Sequence, residues 1–467
     1  MRKFLLSFLL VAITSSVSAQ YSGDGFYRVQ NIMTERYIYV TDNTGSINIQ
    51  AMSGDMGAVQ LWKGSDKVIS DPASVIFIKK YSNKQYDLFA QGTSVHSLIN
   101  YYVQVYEKAD HTYQVYTEGK YLMDSETNLK SERGYLSVGT KYTQQNYYWN
   151  IYPIGADDNY FGLAPTVAVS DRYFKPFYAD FAFSFADSGM KAWYVSDIRN
   201  GIAIISEINS DIIADNTPVI IECTGNLPSS NRLNLFKSAG TAIDSNMLKG
   251  VYFQNEDRAK KQKNPSKDAV TVFDPSTMRV LGVMSNGQLG FVTPDIQYLP
   301  ANESYLVVPE NSPLEMPVLT EGEYELLQQA NKEAFDQLAE VFDNVSESYA
   351  DVCEFISTEC PDVVSLFEDV EEQLSERIEV IGSQILYDMS ALALAGKTEY
   401  YTYQLEDLSL AIVNLRNDAI EKENEYRTGV DRKSVDEQAI IYDLAGHRLK
   451  SIPDKGIYLI NGKKVLF

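Results

Sequence analysis

The hydrophobic pattern of this 467-residue chain changes period near residue 321, and that switch limits what the chain can fold into. Before it, β-branched and aromatic residues come in short runs cut by turn signals, as in Gly25 to Val29 and Arg36 to Val40. Such runs are expected of strands. After it, Phe335, Leu338, Phe342, Val345, Tyr349, Val352 and Ile356 recur every three or four residues, the stripe of an amphipathic helix. A second stripe runs from Phe367 through Val370, Leu374, Ile378 and Ile381 to Ile385, and a third from Tyr401 through Leu405, Leu408 and Ile412 to Leu415. Cys360-Pro361-Asp362 and Gly396-Lys397-Thr398 break the stripes, with Pro361 suited to a helix's first turn. A three-helix bundle is therefore expected over 321–428.

Charge changes at the same place. Of 63 acidic and 40 basic residues, 26 and 6 fall within 321–428. The net charge of −23 thus belongs mainly to the helical segment, where a solvated acidic face is expected. A cationic partner or calcium is the alternative use of such a face. With a sequence pI near 4.6 and no basic patch elsewhere, the chain is not expected to bind nucleic acid.

The first residues read as an export signal over 1–19. Arg2 and Lys3 precede an apolar run from Phe4 to Ile13, and Val17-Ser18-Ala19 gives small-residue cleavage before Gln20. That run is too short to span a bilayer, and no other stretch reaches the ~20 apolar residues required. The three cysteines, Cys223, Cys353 and Cys360, do not form a disulfide framework; the last two are seven residues apart along a helical pattern.

Residues 20–155 read as all-β. Within them Gln60-Leu61-Trp62, Gln104-Val105-Tyr106 and Tyr147-Tyr148-Trp149 recur 44 and 43 residues apart, a period of repeated structure in which an aromatic anchors each third of the core. This spacing resembles the ricin-type β-trefoil, whose repeats carry a Gln-x-Trp signature. Gln60 and Trp62 match both positions, Tyr106 stands for the Trp, and Tyr147 stands for the Gln before Trp149. The resemblance implies a β-trefoil-like domain and carbohydrate binding, with the signature Trp in the core and sugar contacts made by loops.

Residues 156–320 are expected to form a β-sandwich-like domain. Asn200-Gly201 and Asn286-Gly287 each separate two apolar runs, and Asn-Gly favours a two-residue hairpin turn. Asn216-Thr217-Pro218 and Leu299-Pro300-Ala301-Asn302 each lead into an apolar strand, resembling a module of exported bacterial surface proteins. Asp257 to Lys267 reads as a polar loop. Residues 435–467 return to β, with Tyr442-Asp443-Leu444, Gly456-Ile457-Tyr458 and a basic end at Lys463-Lys464. This hairpin tail resembles the sorting signal of the bacterial type IX secretion system, which implies the export machinery as a partner and an extracellular or cell-surface location.

Chemical motifs are scarce. The three histidines, His96, His111 and His447, have no neighbouring ligand pattern, and no nucleophile elbow, zinc helix or phosphate loop occurs. Asp157-Asp158-Asn159 lacks the alternation of a calcium loop and reads as a polar turn. The expectation is a non-catalytic exported binding or adhesion protein that needs no metal or cofactor and takes a glycan or a surface protein as partner. The alternatives are a glycan-acting hydrolase and a structural surface protein; the β segment, roughly 165 residues, is short of the ~250 that an eight-stranded α/β barrel needs. Tyrosine is unusually abundant at 33. Exposed rings stack on sugars or anchor interfaces, and strand alternation turns Tyr148 away from Trp149 and splits Tyr101 from Tyr102. Tyr102 and Tyr148 are the candidate ligand-binding residues.

Overall fold

The computed structural model describes residues 23–41, 59–63, 65–92, 102–155, 158–237, 239–256, 270–428 and four short strands beyond 440. The leader with Ala19 and Gln20, His96, His447, Asp157 and the 257–267 loop lie outside the described residues. The chain divides into two compact units, Met1–Glu321 and Gly322–Phe467.

The first unit opens with ten strands: β1 (Gly25–Asn31), β2 (Tyr37–Val40), β3 (Val59–Trp62), β4 (Ile76–Ser82), β5 (Gln85–Ala90), β6 (Val103–Glu107), β7 (Tyr113–Thr117), β8 (Lys120–Asp124), β9 (Arg133–Gly139) and β10 (Trp149–Pro153). Six of them close a ring of antiparallel pairs: β1 with β4, then β5, β6, β7 and β10, which returns to β1. Two hairpins, β2–β3 and β8–β9, join each other through β3 and β9. Closure removes open strand edges, and alternation fills the interior with Val29, Ile78, Leu88, Val103, Val105, Val115 and Trp149.

The repeated aromatics do not occupy equivalent places. Trp149 is fully buried and donates its indole N–H to the Leu122 carbonyl at 3.2 Å. Tyr106 is not a core anchor: Val103 and Val105 point inward, so Gln104 and Tyr106 share the outer face, where the tyrosine hydroxyl donates to Gln104 Oε1. Gln60 and Trp62 lie on β3, in a hairpin and not in the ring.

Two arginines, Arg28 and Arg36, are buried in this region. Arg36 pairs with Asp124 at 2.6 Å and donates to the carbonyls of Ser131, Glu126 and Asn128. Arg28 reaches the Val68, Ile69 and Tyr160 carbonyls and Asn159 Oδ1; burial lowers its pKa to about 10. Asn159 also donates to Tyr152 and Pro153 carbonyls, so the Asp158-Asn159 turn serves as a structural tie.

From Phe161 onward a three-stranded and a ten-stranded sheet follow. Phe161, Phe183 and Leu233 of the smaller sheet meet Phe177, Val219 and Ile221 of the larger in one core, which also takes in Phe26 and Phe77 of the barrel. The strands Lys191–Arg199 and Ile202–Glu207 turn at Asn200 and Gly201, whose φ angles are 51° and 73°, as a two-residue turn requires. Asn286-Gly287 behaves differently from expectation. The pair Val283 and Leu289 flanks a longer loop; Gly287 N–H donates to Met284 O and Met284 N–H to Gln288 O, with only Gly287 at positive φ. This is a turn followed by a bulge, fixed by Asn286 Oδ1 accepting the Gln288 N–H. Asn216 and Asn302 sit at φ 60° and 55° just before the strands Val219–Cys223 and Ser304–Val307.

The second unit holds helices Glu321–Glu359, Glu368–Ser390 and Thr398–Thr428. All three supply a common core that includes Leu338, Ile356, Leu374, Ile381, Leu405 and Ile412. Val370 departs from its stripe and is exposed. Pro361 opens a turn and not a helix, because the next helix begins at Glu368 after the short turn Val364–Leu366. A polar knot closes the other inter-helix connection. Asn331 Nδ2 donates to Met389 O while its Oδ1 accepts from Leu394 and Ala395 N–H. Asp388 accepts from Lys397 at 2.8 Å and from the Tyr401 hydroxyl. The tail forms a four-stranded sheet of short strands, Ile441–Tyr442, Arg448–Leu449, Ile457–Ile460 and Lys463–Leu466, where a single hairpin was expected. No helix among the described residues is long and apolar enough to cross a membrane.

Candidate functional site

The outer face of the barrel gathers tyrosines through strand register. Tyr86 on β5 is not among them, since it pairs with the inward Val103 of β6 and packs against the core. The β4–β5 register slips between Lys80 and Ser82, which leaves Tyr81 as the extra residue of a bulge. Bulges re-aim side chains, and here Tyr81 stacks on Tyr102, ring centroids 5.6 Å apart and planes within 4°. Both rings are exposed, at 66% and 46%. Because Val103 and Val105 point inward, Tyr102, Gln104 and Tyr106 share the outer side. From Tyr106 the rings continue to Tyr116 at 6.3 Å, Tyr121 at 5.0 Å and Tyr142 at 5.2 Å. Burial raises the Tyr121 pKa, helped by the neighbouring phenols of Tyr106, Tyr116 and Tyr142. Together these rings make a surface of π-faces and hydroxyls.

Tyr148 lies elsewhere. It is half-buried after the turn Gln145–Tyr147, its carbonyl accepts from Ile32 N–H and Asn31 Nδ2, and it does not join the tyrosine face. Tyr81 was invisible in the sequence as a partner of Tyr102, since the bulge that aims it is a property of register.

A cleft of about 380 Å³ is the second feature of this unit. Tyr39 forms one wall; its hydroxyl donates to Asp71 Oδ2, and Lys67 Nζ sits 5.1 Å from its ring centroid. Burial, then the Asp71 carboxylate, drives the Tyr39 pKa upward. Gln91, buried at φ 60°, donates to Val40 O and accepts from Asn302 Nδ2. Gln254 N–H donates to Thr41 O, which brings Gln254 to Glu256 to the opposite rim.

The remaining reactive groups are dispersed. His111 is exposed and its Nδ1 is 2.9 Å from Glu107. The cysteines are free, and burial pushes the Cys223 thiol up to about 12. Among the described residues no three His, Cys, Asp or Glu side chains gather where they could hold a metal ion.

No protein-family model matches the chain, and no curated protein matches it. Among solved structures it is similar to a ricin B-like lectin of Macrolepiota procera, determined in complex with lactose. The two are 9% identical, the match covers 29% of this chain and 99% of the lectin, and the TM-score is 0.22.

Proposed function

We propose that the chain is a non-catalytic, exported glycan-binding protein whose N-terminal barrel is a β-trefoil. The six-stranded closed ring with two flanking hairpins supports the fold reading. The observation that carries the function is the Tyr81–Tyr102 stack, with parallel rings open to solvent. Leaving two large rings exposed forgoes burial worth roughly 1.5–3 kcal/mol for a large apolar side chain. A parallel stack holds each ring rigid and leaves exposed apolar ring surface for the C–H face of a pyranose, and the phenols beyond it supply hydroxyls for hydrogen bonds.

Retention of the full chain on insoluble polysaccharides, together with a glycan array, tests this reading. Binding that falls at least about tenfold in the double variant Tyr81→Ala, Tyr102→Ala is expected; an array without binders contradicts it. Hydrolysis of any of those polysaccharides would overturn the non-catalytic part. Export is tested by deleting residues 435–467 and assaying where the protein accumulates; unchanged surface delivery would overturn sorting by the tail.

A further inference from the structure

The Tyr39 cleft gathers ligand-binding chemistry apart from the tyrosine face, and the two share no residue. Its charges balance, Lys67 and Arg133 against Asp71 and Glu256, so no net field draws in an ion. Neutral hydrogen-bonding groups stand between them: Gln91, Gln254 and Asn255 carry amides, and Thr41 a hydroxyl. The Thr41 Oγ1 is buried and has no hydrogen-bond partner among the described residues. A buried hydroxyl left unpaired costs free energy, and a ligand hydroxyl reaching it would recover that cost. Pro300 and Ala301 add an apolar edge beside these polar groups. The volume falls at the low end of the ~300–1,000 Å³ of small-molecule sites.

A ring with hydroxyls on its rim, C–H bonds on its face and no charge satisfies each of these features. We propose that the cleft binds a neutral hexose unit. The proposal shares only its ligand class with the glycan reading above and assigns a second, separate site.

Saturation-transfer NMR on the full chain tests it, with glucose, galactose, mannose and N-acetylglucosamine as probes and glucuronic acid as the anionic comparison. At least one neutral hexose is expected to bind, and more tightly than glucuronic acid. Thr41→Val is expected to weaken that binding about fivefold while leaving the thermal midpoint unchanged or raised, because a methyl replaces an unpartnered hydroxyl of the same shape. Arg133→Ala, at an exposed side chain, supplies the same test should Thr41→Val fail to fold. Silence from all four hexoses, preference for glucuronic acid, or hexose binding that ignores both substitutions would overturn the proposal. Failure of the tyrosine-face reading registers separately, as polysaccharide retention that ignores Tyr81 and Tyr102.

Discussion

The two units of this molecule solve the same problem, satisfying buried backbone polar groups, by different means. Helices pair their own N–H and C=O groups along their length, so the second unit needs buried polar side chains mainly where the chain turns, Glu423 of the last helix, paired with Arg427 at 2.7 Å, being set apart. They are concentrated there: Asn331, Asp388 and Tyr401 tie the connection around Met389 to Ala395. The β unit has long irregular connections whose carbonyls find no ladder partner. Buried arginines fill that need. Arg28, Arg36 and Arg279 each donate to three or more carbonyls, and Arg279 takes those of Pro275, Met278, Ser312 and Pro313. Five donors in a planar fork make arginine suited to gathering several loop carbonyls at once.

Substitutions can break this contrast. The largest effect is expected from Asp124→Ala, which strands the fully buried Arg36 and should cost about 3–5 kcal/mol. All three tryptophans, Trp62, Trp149 and Trp193, lie in the β unit, so urea unfolding followed by tryptophan fluorescence reads that loss. A shift below 1 kcal/mol would contradict the role given to buried arginine. Asp388→Ala should cost about 1–3 kcal/mol through loss of its bonds to Lys397 and Tyr401. Circular dichroism at 222 nm, dominated by the three long helices, measures it.

The same carboxylate sharpens the comparison through pH. Burial favours the neutral form of Asp388, but hydrogen bonds from Lys397 and Tyr401 outweigh it and hold the pKa below the usual value. A depressed carboxyl pKa stabilises the fold above the unfolded pKa, about 3.9, and that contribution disappears as pH falls through the folded value. Acid unfolding read at 222 nm should therefore lose part of its steepness below about pH 4 in Asp388→Asn; an unchanged acid limb would count against the assignment.

Much of the helical unit was legible because its period is local: each stripe is decided within one helix, and only Val370 and Pro361 depart. The β unit was legible in outline for the same reason, since strand runs and Asn200-Gly201 are local signals. The sites were not. Tyr102 was singled out from alternation, yet its partner Tyr81 depends on a bulge set by pairing with β5. The Tyr39 cleft draws on residues from Tyr39 to Ala301, which only tertiary folding brings together. Tyr148 follows a tight turn that places it beside Asn31, apart from the stacked Tyr81 and Tyr102.

The smallest expected change in stability carries the most functional weight. Replacing Tyr81 and Tyr102 by alanine removes an exposed ring pair worth at most about 1.5 kcal/mol beyond its area, so the β unit should stay folded by tryptophan fluorescence. Glycan-array binding of wild type and this double variant, side by side, tests the central claim most directly. The account predicts defined glycan binding by the wild type that is lost in the folded variant; equal binding by both proteins would contradict it.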